Sequence, residues 1–541
     1  MTAEQAPLER RIERLRLEGG RGIFAENRVG LEKEGLRVGA SGKLARTSHP
    51  RELGAALTHP YITTDFSEAL IELITPALTD SAEALDFLED IHRFVYLHLG
   101  EELLWATSMP CVLEGARSIP LARYGTSNAG IMKTVYRRGL GNRYGRTMQV
   151  IAGVHFNFSF GEDFWRLYQR QEADGADPVT FRSAAQMGMI RNLQRRGWLI
   201  PYLFGASPAV CASFVQDQST DLEPFDSSTL YYPYATSLRM GDIGYQNKQE
   251  EGTGMKACYD SLDSYVRSLD WAIQTPCPQY ESIGVKIGDR YEQLNANVLQ
   301  IENEYYSTVR PKQLTRWMEK PTQALKRRGI LYVELRSLDV NPFEPLGIGL
   351  DQMLFIETLM LYCLLSESPH VAATERDHID ENLVLTAHRG REPGLTLMWD
   401  RRPVALKVWA SELLDRMVAV AELLDGGADG PRSQTLRRQM DKVTHPDLTP
   451  SARLLETMRE RREGFFAVSR RLSEEHRAYF LADPPSDARS VLFEELALES
   501  IRRQAEIEAA DDRSFDDFLR DYFAQDEEGA ETRPAWARPD P

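Results

Sequence analysis

The residues in this chain best suited to chemistry are carboxylates that recur in strand-like segments. Within Gly30–Arg37, Glu32 and Glu34 are two positions apart, so an extended strand projects both from one face about 6.5–7 Å apart. Two such charges repel by roughly 2–3 kcal/mol at an effective dielectric of about 20. A solvated edge strand tolerates that, and so does a strand with a cation held between the two groups. In the next segment, Ile62–Thr75, Asp65 precedes Glu72, which sits among Leu70, Ile71, Leu73 and Ile74. Carboxylates are seldom buried unless paired or bound to a metal. Glu72 therefore calls for an arginine partner or an ion.

Two further segments carry the same pattern. Gly153–Phe160 alternates cleanly, with Val154, Phe156, Phe158 and Phe160 on one face and His155, Asn157 and Ser159 on the other. A lone histidine is usually structural, but this one heads a polar row opposite a core face, as the floor of a polar site would. In Gly329–Pro342, Tyr332, Glu334 and Arg336 oppose Leu331, Val333 and Leu335. Glu334 and Arg336 form either an internal ion pair or a metal carboxylate beside a cation that contacts a phosphoryl group. A last run, Asn297–Tyr306, reads as a strand with Gln300, Glu302, Glu304 and Tyr306 on one face, and its acids stay unassigned. Together these segments describe a sheet whose polar face is rich in oxygen donors and holds one imidazole. That donor set suits Mg²⁺ or Mn²⁺, whose usual partners are nucleotide phosphates.

The elements that must position these groups form a mixed region of short strands and helices to about residue 345. It follows a charged amphipathic helix over residues 1–20. From about 350 the pattern is mostly helical, clearest in Met353–Leu365, Val404–Leu424, Ser451–Glu475 and Ser490–Ala510. Loops are expected at Glu172–Pro178 and Gly426–Pro431. The expectation is one catalytic unit over residues 1–525, followed by an acidic, disordered tail over 526–541. Five widely spaced cysteines without a C-x-x-C pair imply neither a zinc site nor a disulfide framework, so a reducing cytoplasm is the expected compartment. The net charge of −17 argues against nonspecific nucleic-acid binding, which needs clustered Lys and Arg. No stretch reads as a membrane span: Met353–Leu365 is short and carries Glu357. Phosphate-loop, dinucleotide, zinc-protease and serine-hydrolase motifs are all absent, so any use of ATP needs a scaffold without a P-loop.

Several longer blocks carry a family likeness. Leu31–Val38, Ile62–Phe66, Arg123–Asn128, Asn142–Gly145, Gly153–Asn157, Ile200–Pro208, Tyr234–Arg239, Asn297–Glu304 and Val333–Asp339 resemble bacterial glutamate–cysteine ligase of the proteobacterial type. The likeness runs from about residue 20 to 460 and thins in the helical part. It implies an α+β fold: a curved, mainly antiparallel sheet forming a funnel, related to glutamine synthetase, with a helical C-terminal part. It also implies formation of γ-glutamylcysteine, the first step of glutathione synthesis, from L-glutamate, L-cysteine and ATP through a γ-glutamyl phosphate. The same fold joining glutamate to a different amine is the alternative. Glu32, Glu34, Asp65, Glu72, His155 and Glu334 fall where that family holds magnesium. Phe66, Tyr136, Leu140, Gln149, Arg239, Tyr245 and Tyr306 fall at or near its cysteine contacts, and Arg137 and Arg336 where carboxylate or phosphoryl oxygens lie. No further ATP-grasp module follows, so addition of glycine is expected to fall to another protein.

Overall fold

A computed structural model describes residues 5–110, 112–216, 219–244 and 255–526. Tyr245 and the expected tail beyond residue 526 lie outside the described residues. At the centre is a seven-stranded open sheet. Its strands are β1 (Arg28–Val38), β2 (Ile62–Thr64), β3 (Leu70–Ile74), β4 (Leu103–Leu104), β5 (Gly153–Ser159), β6 (Val309–Lys312) and β7 (Tyr332–Asp339). The order is β6-β7-β5-β1-β3-β2, with β4 paired to the end of β1. Every pairing is antiparallel. β6 is an edge strand, which is why Pro311 is tolerated within it: a proline has no N–H to donate to a ladder, and at an edge none is needed on the open side.

The period-2 alternation of β1, β5 and β7 divides the sheet into two faces. Leu31, Val154, Phe156, Phe158, Val333 and Leu335 are all buried in the main core. The helices Ser81–His98, Pro178–Arg196 and Leu199–Phe204 pack against the strands. Lys33, between Glu32 and Glu34, points to this rear side. Its ammonium lies 3.0 Å from Nε2 of His92, and burial brings its pKa down to about 8. The helix Leu350–Leu365 contains a buried acid, Glu357, which accepts from Ser81 and from Arg432 Nε at 3.0 Å. No helix among the described residues is long and apolar enough to cross a membrane.

The C-terminal part departs from the expected helical pattern at two points. Thr396–Trp399 and Arg402–Ala405 form a hairpin whose turn residues Asp400 and Arg401 have φ of 46° and 63°. Val404 therefore belongs to a strand, and the helix begins at Leu406. The run read as one helix over Ser451–Glu475 is two, Pro450–Arg461 and Phe465–Ala482. Arg462 stops the first in the left-handed region at φ 54°. Elsewhere in the chain Cys211 is disulfide-bonded, where the cysteine spacing suggested no disulfide framework, and Cys258, Cys277 and Cys363 are free.

Candidate active site

The second face of the sheet gathers the carboxylates. Strand register places Glu34 of β1 opposite Glu72 of β3, and Glu32 opposite His155 of β5. Glu334 of β7 stands opposite Asn157 of β5. Like charges facing each other across strands destabilise a sheet, so the Glu34–Glu72 pairing needs a compensating group. His155 Nδ1 lies 3.1 Å from Glu32 Oε2 and 3.8 Å from Glu334 Oε1, while its Nε2 lies 3.7 Å from Glu34 Oε1. One ligand atom each from Glu32, Glu72 and His155 can be chosen so that all lie within 4.8 Å of one another. At that separation Glu32 and Glu72 repel by roughly 3 kcal/mol at an effective dielectric of about 20.

The remaining hydrogen bonds orient this cluster. Asn157 donates from Nδ2 to Glu32 Oε1 at 2.8 Å, and the Gly153 amide donates to Glu34 Oε2 at 2.6 Å. Arg336 Nη1 donates to Glu334 Oε1 at 3.1 Å and lies 3.4 Å from His155 Nδ1. Lys312 Nζ is 3.5 Å from the same Glu334 oxygen. Glu334 is 1% exposed, yet its Oε2 accepts no hydrogen bond among the described residues. A buried carboxylate oxygen left without a donor fits a metal ligand. So does the chemistry of the set: hard oxygens and one imidazole.

The four strand carboxylates differ in proton affinity. Burial raises the Glu72 carboxyl well above its ordinary value, and the neighbouring charges of Glu32, Asp65 and Glu34 add to the effect. Burial also raises Glu34, with Asp65 acting in the same direction. For Glu32, burial is outweighed by the hydrogen bond from His155 and nearby cations, so the pKa lies below the ordinary value. For Glu334, burial is outweighed more strongly, by Lys312 first and then Arg336 and His155. Of these four, Glu34 and Glu72 are the groups that retain protons above the ordinary carboxylate range. Their folded pKa values are raised, so their stabilising contribution is lost as pH rises through them.

This yields a metal-removal prediction. In chelator-treated protein, added Mg²⁺ is expected to raise the thermal midpoint more at pH 8 than at pH 5, because an ion must displace the protons that Glu34 and Glu72 retain. A ligand at 100 times its Kd adds about 2.7 kcal/mol. Glu72→Gln should flatten the pH dependence. Thermal midpoints measured with and without Mg²⁺ check this, and a Mg²⁺ effect equal at pH 5 and pH 8 would contradict it.

The other expected residues surround the cluster unequally. Asp65, at the end of β2, keeps a 41% exposed side chain with Oδ1 4.0 Å from Arg137 Nη2. Arg137 donates from Nε to the Asp65 carbonyl and stacks over the Tyr124 ring at 4.6 Å, so it holds the Asp65–Phe66 turn. Phe66 is buried beneath the helix Asn128–Tyr144, which also carries Tyr136 and Leu140. Arg239 is 1% exposed; Nη2 donates to the Arg336 carbonyl at 2.9 Å, and Nη1 lies 4.0 Å from Asp339. A side chain at Gly153 would meet this guanidinium at 2.1 Å, so glycine is required there. Tyr306 donates to Gln149 Oε1 at 2.7 Å, and Gln149 Nε2 is buried without an acceptor among the described residues.

Two groups at the cluster were not among the candidates read from sequence. Lys312 sits on a four-residue edge strand too short to show alternation, although Arg310 and Lys312 flank its proline. Asn157 was visible in the polar row of β5, but its contact with Glu32 depends on pairing between strands 125 residues apart. The run Asn297–Tyr306, read as a strand, is instead irregular with a 3-10 turn at Glu302–Glu304. Both acids are buried and partnered: Glu302 accepts from the Thr322 hydroxyl, and Glu304 from Arg143.

An open antiparallel sheet whose acidic face is flanked by Arg336 and Lys312, with no phosphate loop, has the charge pattern of an enzyme that handles charged, oxygen-rich substrates. Residues 12–385 match the glutamate-cysteine ligase family model. A glutamate–cysteine ligase of Alcanivorax borkumensis is 48% identical over 523 residues, covering 95% of this chain and 99% of its own. One from Azotobacter vinelandii is 50% identical over 500 residues, covering 92% of this chain and 94% of its own. The crystal structure of the Francisella tularensis glutamate–cysteine ligase in complex with AMP superposes with a TM-score of 0.87 at 34% identity, covering 93% of this chain and 98% of that one. A bifunctional glutathione synthetase from Pasteurella multocida aligns with a TM-score of 0.71 at 25% identity, over 91% of this chain and 58% of that one. This chain belongs to the glutamate–cysteine ligase family.

Proposed function

We propose that this chain joins L-glutamate to L-cysteine through the glutamate γ-carboxylate, with ATP as co-substrate. The observation that carries the reading is the partly buried acidic face of β1, β3, β5 and β7, bordered by Arg336, in a member of this ligase family. We read the sheet as the curved wall of a funnel of the glutamine-synthetase kind, open on that face.

A carboxylate is a poor acyl donor because its leaving group would be oxide. In the first step a γ-carboxylate oxygen attacks the terminal phosphorus of ATP, and the bond to the bridging oxygen breaks, releasing ADP. The cysteine amine then attacks the acyl phosphate carbon; phosphate leaves with that oxygen, and the amine proton passes to solvent. Glu32, Glu34, Asp65, Glu72, His155 and Glu334 are the groups that would hold Mg²⁺ or Mn²⁺. Such ions, when bound, offset charge on the phosphate oxygens. Arg336 presents a planar, permanently charged fork to the same oxygens. Arg239, Gln149 and Tyr306, with Tyr136, Leu140 and Phe66, shape the amine-accepting pocket, and the unsatisfied Gln149 amide supplies a donor. Holding amine and acyl phosphate in contact removes much of the entropy barrier.

The rival reading is a different amine acceptor on the same site. ADP release at fixed glutamate and ATP, across a panel of amines, separates the two. Cysteine is expected to support turnover, 2-aminobutyrate to do so more weakly for want of a thiol, and glycine and alanine to fail. Equal turnover with alanine would overturn the choice of cysteine.

A further inference from the structure

The acids of the Asn297–Tyr306 segment have no part in the chemistry above, yet one of them belongs to a fully buried ion pair. Arg143 Nη1 donates to Glu304 Oε1 at 2.8 Å, and both side chains are 0% exposed. Each of the three Arg143 nitrogens donates: besides Nη1, Nε donates to Gln293 Oε1 at 2.9 Å and Nη2 to the Asn295 carbonyl at 2.7 Å. Its guanidinium also stacks on Tyr280 at 4.1 Å. Glu304 accepts at Oε1 from the Tyr144 hydroxyl and at Oε2 from the Gln300 amide, both at 2.7 Å. A buried ion pair is weak evidence for stability, since apolar side chains of similar volume often serve as well. Its value must then lie in where it holds the chain.

What it holds is the pocket proposed for the amine substrate. Arg143 and Tyr144 end the helix Asn128–Tyr144, one turn beyond Leu140 and two beyond Tyr136. Glu304 lies two residues before Tyr306, whose hydroxyl is bonded to Gln149. The Tyr144 ring packs edge-on against Tyr306 at 6.3 Å. A second tie runs beside the first: Gln300 Nε2 donates to the Tyr136 carbonyl at 3.3 Å, across Gly139, where any side chain would collide with Gln300 at 2.1 Å. Helix and segment are thus tied at two points, one of them a close approach at Gly139.

We propose that Arg143 and Glu304 are positioning residues that set the affinity of the pocket for cysteine, by fixing the Tyr136–Leu140 helix against the Tyr306–Gln149 pair. The inference rests on the placement of cysteine in that pocket, and the experiment separates the two ideas. In the full chain, Glu304→Gln, the double variant Arg143→Met with Glu304→Met, and Tyr306→Phe are compared with wild type. KM is measured for each of the three substrates, together with kcat and thermal midpoints. A misplacement near 1 Å can cost up to about a hundredfold. Glu304→Gln is expected to raise the KM for cysteine roughly tenfold, leaving that for ATP within about twofold. The double variant leaves no buried charge unpaired, so it should recover part of the thermal midpoint, short of the whole because Tyr144, Gln293, Asn295 and Gln300 lose partners, while keeping the raised cysteine KM; it carries the test if Glu304→Gln does not fold. If the double variant has a wild-type cysteine KM, or raises all three KM values together, the pair is merely structural and the proposal fails. If Tyr306→Phe leaves the cysteine KM unchanged, the placement of cysteine itself is wrong.

Discussion

Glu334→Gln is expected to reduce glutamate- and cysteine-dependent ADP release by about a thousandfold while leaving the fold intact. The several kcal/mol attributed to a bound metal corresponds to that factor, at about 1.4 kcal/mol per tenfold. Glu334 is chosen because it is the most buried carboxylate of the cluster and retains an oxygen without a donor. Its other oxygen faces Arg336, Lys312 and His155. Glutamine keeps the shape and removes the charge. Two cations then face a neutral amide, and the site loses its strongest attraction for a divalent ion. Mn²⁺ binding followed by electron paramagnetic resonance, with circular dichroism as the fold control, should show weakened metal affinity in a folded protein. Near-normal turnover at saturating Mg²⁺ would remove Glu334 from the ligand set.

Arg336→Met should depress kcat to a comparable degree, by roughly 10²–10³-fold, the range for losing one pre-placed donor to developing charge. Its metal affinity should move the other way. The guanidinium lies 3.1 Å from Glu334 and 3.4 Å from His155, so removing it leaves the acidic face more negative, and a divalent cation should bind at least as tightly as in wild type. Arg336→Lys should recover only part of kcat, because an ammonium cannot reproduce the planar fork. Opposite signs for metal affinity in the Glu334 and Arg336 variants therefore distinguish a ligand from a substrate-facing cation. A loss of metal binding in Arg336→Met would place that residue with the ligands' support.

Much of the acidic face was legible as local pattern. Glu32 with Glu34, His155 with Asn157 and Glu334 with Arg336 each share a side of a strand because the side-chain period is two. All three strands formed with those sides as read. The same rule misled at Gln300–Tyr306, where alternation was real but the backbone turns. The inward acids there find partners in Thr322, at one oxygen of Glu302, and in Arg143, 161 residues from Glu304. Short segments gave too little pattern to read, as with Lys312 on its edge strand and the Thr396–Ala405 hairpin.

The sequence by itself thus determined which side chains share a face, because alternation is a property of one extended backbone. Together with the family likeness, it also determined the chemistry to expect of them. Tertiary structure alone decided that Glu34 faces Glu72, that Glu32 faces His155, and that Lys312 borders Glu334. Register between distant strands follows from the packing of the whole sheet, and no single segment carries it.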